Sequence, residues 1–166
     1  MRRRNKSSKL TMATILMDSV AVRTNRNLSH VGRSFRSQRI MKRLGAHITR
    51  LERGLVEISA QNNPGLSQQD GFVHAGVLAT LLDTAGGYAV LSMLPRGSRV
   101  LAVEFKINFT KPAIGDMIRA TGKVRKGGRR LAICELEAKM REKGRWIPCA
   151  WGSQTVYCIR PDASHD

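Results

Sequence analysis

The 166-residue sequence contains no apolar run of about 18 residues, the length that a membrane-spanning helix needs. It is also short of acidic residues, with 12 Asp and Glu against 29 Lys and Arg, and only 5% of its residues are aromatic. These shortages exclude a transmembrane protein of the helical type and leave a strongly basic chain with an ordinary apolar fraction. Its length suits one domain with a sizeable core and no membrane partner.

Cysteine is also scarce. The three cysteines, Cys134, Cys149 and Cys158, are odd in number and lack both CxxC spacing and nearby His residues at zinc-site intervals. This pattern argues against a disulfide framework or a metal site and predicts reduced cysteines in or near a core. We therefore expect no metal, no other cofactor and a cytoplasmic location.

The charge is concentrated at the N-terminus, where residues 1–50 carry +12 of the net charge of +17. We predict that residues 1–29 are a basic leader without folded structure, that residues 30–160 form the domain, and that residues 161–166 are a tail. Met12 or Met17 could be the true start. An organelle-targeting peptide and a nucleic-acid-binding arm are the alternatives, but no aromatic or helix-turn-helix pattern supports nucleic-acid binding.

The rest of the chain alternates strand and helix patterns. The spacing of Phe35, Ile40, Met41 and Leu44 predicts a short amphipathic helix. On the long strand, Leu101, Val103, Phe105, Ile107 and Phe109 are predicted to share one face, and a later hairpin is predicted to turn at Lys143 and Gly144. The predicted elements are a helix at 31–44, strands at 46–52 and 55–60, a helix at 77–91, and strands at 101–110, 117–126, 129–141 and 145–159.

The helix at residues 77–91 is the centre of the chain, because it is apolar or small on nearly every face and so must be enclosed on all sides. Short connections make neighbouring strands antiparallel, and such a helix is buried best when the sheet curls around it. The expected fold class is therefore α+β, with about six antiparallel strands around one long central helix. One charge, Asp83, interrupts this helix, and it needs either a partner or a chemical role.

Two separated motifs carry a family resemblance. His74, Ala75 and Gly76 precede the sequence Leu-Leu-Asp-Thr-Ala-Gly-Gly-Tyr-Ala at residues 81–89, which places the acid nine residues after the histidine. With the strand at residues 103–116, this resembles the phenylacetate-degradation type of acyl-CoA thioesterase, a branch of the hotdog-fold superfamily. The likeness covers roughly residues 30–160. One departure is Ala75, since many members have His-Gly-Gly here.

The resemblance implies hydrolysis of an acyl-CoA thioester. Asp83 would be the general base or the nucleophile, and both routes stay open. The Ala75 N–H, or alternatively that of Gly76, would bind the carbonyl oxygen at the start of the helix. Gln68 would polarise the carbonyl or position water, and His74 belongs to the same motif. Each also has a structural alternative: a salt bridge for Asp83, a loop contact for Gln68 and a cap for His74.

The eight steps from Ala75 to Asp83 correspond to about 12 Å along a helix, too far for both to act on one carbonyl. One of them would then come from a second subunit. The resemblance implies the same, since hotdog thioesterases dimerise edge to edge and often pair dimers into tetramers. We therefore expect a homodimer or homotetramer.

Substrate binding is expected at two places. Lys126, Arg129 and Arg130 lie in a basic hairpin that could bind the phosphates of coenzyme A, although a solvated turn fits equally well. Leu82 and Tyr88 could line the acyl pocket. The alternatives to an enzyme of this type are a non-catalytic acyl-CoA-binding regulator with a nucleic-acid-binding arm, and a hotdog hydratase.

Overall fold

The computed structural model describes residues 28–161. Most of the predicted leader and tail lie outside this range. The described chain contains three α-helices, six β-strands and a 3₁₀ turn at Pro64–Leu66. The helices are α1 (Ser29–Ser37), α2 (Arg39–Arg43) and α3 (Ala75–Leu91), and the strands are β1 (His47–Glu52), β2 (Leu55–Gln61), β3 (Arg99–Phe109), β4 (Met117–Lys126), β5 (Leu131–Glu142) and β6 (Arg145–Ile159).

The six strands form one antiparallel sheet in the order β1-β2-β4-β5-β6-β3. The sheet curls around α3, which contacts every strand except the edge strand β1 closely. This confirms the predicted fold class. It also leaves two edge strands, β1 and β3, at opposite sides of the sheet.

The core lies between α3 and the concave face of the sheet. Leu78, Leu81 and Leu82 on the helix are at most 2% exposed. Gly122 on β4 lets the helix approach the sheet closely, because a Cβ there would overlap the backbone of Ala85 and Gly86. The residues that pack against the helix from the sheet include Ile58, Ala120, Leu136, Ala138, Ala150 and Val156.

The single helix predicted at residues 31–44 is wrong in one respect, because the structure has two helices separated at Gln38. Gln38 is extended, with φ −69° and ψ 114°. Phe35 and Met41 are both buried, whereas Ile40 is 48% exposed. Six residues correspond to about 600° on a continuous helix, so Phe35 and Met41 would point in different directions. The break brings both into the core.

The long strand also departs from prediction. A bulge between Ala102 and Glu104 interrupts the alternation, so Ala102 lies opposite Val156 while Phe105 lies opposite Gln154. Both partners on β6 are buried and face the helix. Leu101 lies opposite Tyr157 on the other face of the sheet. The prediction that Leu101 shares a face with Phe105 is therefore wrong, because a bulge shifts the register without changing the residue pattern.

The hairpin between β5 and β6 agrees with prediction. The turn between β5 and β6 contains Lys143 at φ 48° and Gly144 at φ 79°. Positive φ at both central residues is typical of a type I′ turn, which matches the twist of the adjoining strands. Across the described residues, none of the helices combines the length and apolarity needed to cross a bilayer.

Candidate active site

The start of α3 has one capped and one open backbone donor. His74 is the N-cap residue, and its Nδ1 accepts a hydrogen bond from the Gly76 N–H at 2.9 Å. The N–H of Ala75 has no hydrogen-bond acceptor within residues 28–161, and all three residues are exposed. Since free N–H groups at a helix start attract negative charge, Ala75 offers the open donor and Gly76 does not.

Gln68 is tied to its own loop. Its Oε1 accepts a hydrogen bond from the Asp70 N–H, and its Nε2 donates to Asp70 Oδ2 at 3.3 Å. Gln69 also donates to Asp70 Oδ2, at 3.2 Å. Neither side chain forms a hydrogen bond with Ala75 in this arrangement, and a contact between Gln68 and a substrate stays a prediction.

Asp83 lies two turns into α3 and is half-buried. Its Oδ1 accepts a hydrogen bond from Gln154 Nε2 at 2.6 Å, and the same nitrogen lies 3.3 Å from the Asp83 backbone oxygen. Oδ2 has no hydrogen-bond donor among the described residues. Burial raises the pKa of the Asp83 carboxyl, because the charged form is less well solvated there. One carboxylate oxygen is thus held by the protein and the other is free.

Asp83 lines an open cavity of about 410 Å³, together with residues of α1, α3, β6 and the first residues of β3. Tyr88 lines it, and its hydroxyl lies 3.1 Å from the Ser34 hydroxyl of α1. The Tyr88 ring also packs edge to face against Phe35, with centroids 5.6 Å apart. Leu82, by contrast, is fully buried in the core and does not line this cavity. The structure therefore places Tyr88, but not Leu82, in the lining of the cavity that contains Asp83.

A larger cavity, about 600 Å³, lies between α1, α2 and β1. No carboxylate, thiol or hydroxyl side chain is present among its described lining residues, and its titratable groups are Arg36, Lys42 and His47. It therefore offers neither the acid nor the nucleophile that the helix motif provides. The cavity at Asp83 is the better candidate site.

The cations of the basic hairpin are not among the described lining residues of the cavity that contains Asp83. Lys126, Arg129 and Arg130 are exposed, and none of them forms an ion pair with a carboxylate of residues 28–161. Arg129 lines a cavity of about 400 Å³ with Arg53 and Arg160, at the C-terminal end of α3. These cations are therefore available to bind an anion.

Gln154 and Gly86 were not identified from the sequence. Gln154 lies on the helix-facing side of β6, between Gly152 and Val156, and a polar residue at an inward position of a strand is the signal that could have identified it. A Cβ at Gly86 would overlap Gln154 Oε1, so the glycine makes room for the amide. The Gly-Gly pair in the helix motif therefore has a structural explanation at its first position.

The cysteines are free and buried, as predicted. Burial raises the pKa of Cys134 to about 12 and that of Cys149 to about 11. Both thiols are therefore protonated near neutral pH and are poor nucleophiles. The described part of the chain has no group of three or more His, Cys, Asp or Glu residues that could hold a metal ion.

Known proteins resemble this chain in both sequence and fold. The model of the Thioesterase superfamily matches residues 70–146. The crystal structure of a thioesterase family protein from Silicibacter pomeroyi is 36% identical and superposes with a TM-score of 0.79, covering 81% of this chain and 99% of that one.

Two relatives match over shorter regions. A candidate esterase of Halobacterium salinarum is 43% identical over 60 residues, which is 35% of this chain and 40% of that protein, so the match spans less than half of the relative. The medium/long-chain acyl-CoA thioesterase YigI of Escherichia coli is 22% identical over 115 residues, 60% of this chain and 74% of that protein.

The curled sheet around α3 and these matches confirm the resemblance found in the sequence, and thioester hydrolysis is the general activity that they support. The chain belongs to the thioesterase superfamily, with the hotdog fold.

Proposed function

We propose that this protein hydrolyses acyl-CoA thioesters in active sites shared between two subunits. The observation that carries the proposal is the arrangement on α3, where a half-buried carboxylate with one free oxygen and an open backbone N–H lie on a single helix. They are about 12 Å apart along the axis. A carboxylate and an oxyanion donor are the two groups that thioester hydrolysis needs. The acyl-CoA class is supported by the name of the relative YigI and by the sequence motifs.

The separation between the two groups favours a second subunit. The exposed edge of β3 would pair with the same edge of a second copy, so that the two sheets join around a twofold axis. The two α3 helices would then run antiparallel, and the start of one would approach Asp83 of the other. A homodimer is the minimum unit of this proposal, and a pair of dimers is compatible with it.

In the proposed reaction, the thioester carbonyl oxygen accepts a hydrogen bond from the partner subunit's Ala75 N–H. Asp83 removes a proton from water, and the resulting hydroxide attacks the carbonyl carbon. The tetrahedral intermediate breaks the C–S bond, and the coenzyme A thiolate receives the proton from Asp83. Direct attack by Asp83, followed by hydrolysis of the mixed anhydride, is the alternative route through the same residues. A raised pKa of Asp83 suits the first route, because it makes the carboxylate a stronger base.

The substrate would extend in two directions from the thioester. The cavity beside Asp83 and Tyr88 would take the acyl group, and the unpaired cations Lys126, Arg129 and Arg130 would bind phosphates of coenzyme A. His74 would act through the helix start, because its ring caps Gly76 and so leaves Ala75 as the open donor. Gln68 would polarise the carbonyl after leaving Asp70. Leu82 would support the acyl pocket from the core.

The test is a panel of aryl, short-chain and long-chain acyl-CoAs, with release of the coenzyme A thiol followed by a thiol-reactive chromophore. Asp83→Asn keeps the size of the side chain and should lower kcat by about 100-fold or more if the carboxylate is base or nucleophile. Asp116→Asn is the matched control, since Asp116 is exposed and binds Arg141 on the sheet.

Near-native turnover by Asp83→Asn would show that Asp83 is structural. The two alternative functions give different results in the same assay. A regulator would bind acyl-CoA without releasing thiol, and a hydratase would add water to a carbon–carbon double bond and leave the thioester intact.

A further inference from the structure

Gln154 is the most deeply buried polar side chain beside the candidate site. It is 1% exposed, on the helix-facing side of β6, where it lies opposite Cys134 on β5 and Phe105 on β3. A buried amide is stabilised only when its polar atoms find partners. The hydrogen-bond partners of Gln154 therefore indicate its structural role.

Both side-chain hydrogen bonds of Gln154 go to Asp83. Nε2 donates to Asp83 Oδ1 at 2.6 Å and lies 3.3 Å from the backbone oxygen of the same residue. Oε1 is buried and has no hydrogen-bond partner within the described chain. Turning the amide over would place Oε1 against the carboxylate and cause repulsion. The carboxylate of Asp83 is thus the group that fixes the orientation of the amide.

The helix is adapted to this contact. A Cβ at residue 86 would overlap Gln154 Oε1 and would lie 2.9 Å from Leu136 Cδ2, so only glycine fits there without displacing the amide. Glycine inside a helix destabilises it relative to alanine. The neighbouring Gly87 differs, since a Cβ there would meet only Val100 Cγ2 at an ordinary 3.8 Å. The tight position is the one that faces Gln154.

We propose that Gln154 is a positioning residue for Asp83: by binding Oδ1 it fixes the carboxylate rotamer and directs Oδ2 toward the substrate. This rests on the proposed function, in which Asp83 acts on water or on the thioester. A displacement of about 1 Å in a reacting group can lower a rate by about 100-fold. A hydrogen bond to the ionised carboxylate also favours ionisation, and so it opposes the effect of burial.

Other titratable groups lie near enough to be considered. Tyr88 of α3 and Arg99 of β3 line the same cavity, and Cys134 of β5 donates its thiol to the Gly86 oxygen at 3.5 Å. None of these three forms a hydrogen bond or ion pair with the Asp83 carboxylate in the described structure. A change in the titration of Asp83 on replacing Gln154 would therefore report the amide contact.

The first variant is Gln154→Met, which keeps the length of the side chain and removes the donor. We expect kcat to fall by about 10-fold or more, with KM little changed, and the acidic limb of the pH–rate profile to move to higher pH. Ile48→Val, a small change to a buried residue on the opposite edge strand β1, is the control for general destabilisation. A fall in kcat no larger than that of the control, or an acidic limb that superimposes on wild type, would overturn the proposal.

A second variant, Gln154→Glu, and an NMR titration of Asp83 test the same contact. Gln154→Glu is nearly isosteric and places a second carboxyl beside Asp83, so the acidic limb should move further upward; an unchanged limb would contradict the proposal. The titration of the Asp83 carboxyl carbon by NMR, in wild type and in Gln154→Met, needs no turnover. If wild type hydrolyses no acyl-CoA, the proposed function fails, while an upward shift of the Asp83 titration still supports the contact and identical curves still reject it.

Discussion

The two edges of the sheet are built differently. β1 has six residues, its apolar side chains Ile48 and Leu51 face the core, and Arg50 and Glu52 form an exposed ion pair along it. β3 has 11 residues and exposes large apolar side chains on both faces: Leu101 is 58% exposed, Val103 60%, Phe105 45% and Phe109 48%. Short length and charge protect an edge, whereas a long apolar edge invites a second strand.

The candidate catalytic carboxylate lies on the side of the apolar edge. The cavity that contains Asp83 is bordered by the first residues of β3, and Gln154 reaches Asp83 from β6, the strand paired with β3. The cavity beside β1 has no carboxylate among its described lining residues. The edge available for pairing and the candidate catalytic group are therefore adjacent, as a site completed by a partner subunit requires.

The largest expected effect comes from placing a lysine on each edge in turn. Val103→Lys on β3 should prevent edge-to-edge pairing, because it places a charge in the apolar edge that the second copy would cover. We expect a folded monomer whose acyl-CoA turnover is reduced by about 100-fold or more. Molar mass by light scattering and thiol release are the measurements.

The matched control is His47→Lys, an exposed position on β1. It should keep both the mass and the turnover of wild type. If the Val103→Lys protein remains a fully active oligomer, or if the His47→Lys protein dissociates, then β3 is not the pairing edge.

A smaller effect is expected on the thermal stability of the protein, through the charge of Asp83. Burial raises the pKa of Asp83 in the folded state above its ordinary value of 3.8, so the folded protein binds that proton more tightly than the unfolded chain. Ionisation then lowers stability as pH rises from the unfolded pKa through the folded one. Asp83→Asn removes this cost and should raise the thermal midpoint at pH 7 by a few degrees, an estimate based on typical single-charge effects.

The gain should disappear well below pH 3.8, where Asp83 is protonated in both states. Thermal scans of the two proteins across this range provide the test. A constant difference at all pH values would mean that the charge of Asp83 has no influence on stability.

The sequence predicted the elements of this fold because each has a strong local pattern. Local sequence patterns predict the apolar α3, the hairpin at Lys143 and Gly144, and the buried cysteines. The bulge at Ala102 and the break at Gln38 were missed, since both depend on how distant segments pack. A periodic pattern does not record a one-residue change of register.

The same distinction holds for the candidate site, whose catalytic role stays a prediction. Asp83 was singled out because a charge inside an apolar helix is conspicuous, and the structure places it beside a cavity with Tyr88. Gln154 follows Asp83 by 71 residues, and only the pairing of β6 with β3 and β5 brings it under the helix. The hydrogen bond from the Gly76 N–H to His74 Nδ1 likewise depends on a single side-chain rotamer, which the sequence does not specify.

The central claim, that each site combines Asp83 with the partner subunit's Ala75, is tested most directly by mixing two inactive variants. One is Asp83→Asn. The other is Gly76→Val, whose added Cβ would lie 3.0 Å from His74 Nδ1 and so disturb the cap and crowd the open N–H. Both homodimers should be folded and inactive. In a mixed dimer both lesions fall in one site and the other site is intact, so co-refolding with random pairing should restore roughly a quarter of wild-type activity per subunit. Mixed dimers that are verified by mass and remain inactive would contradict a shared site.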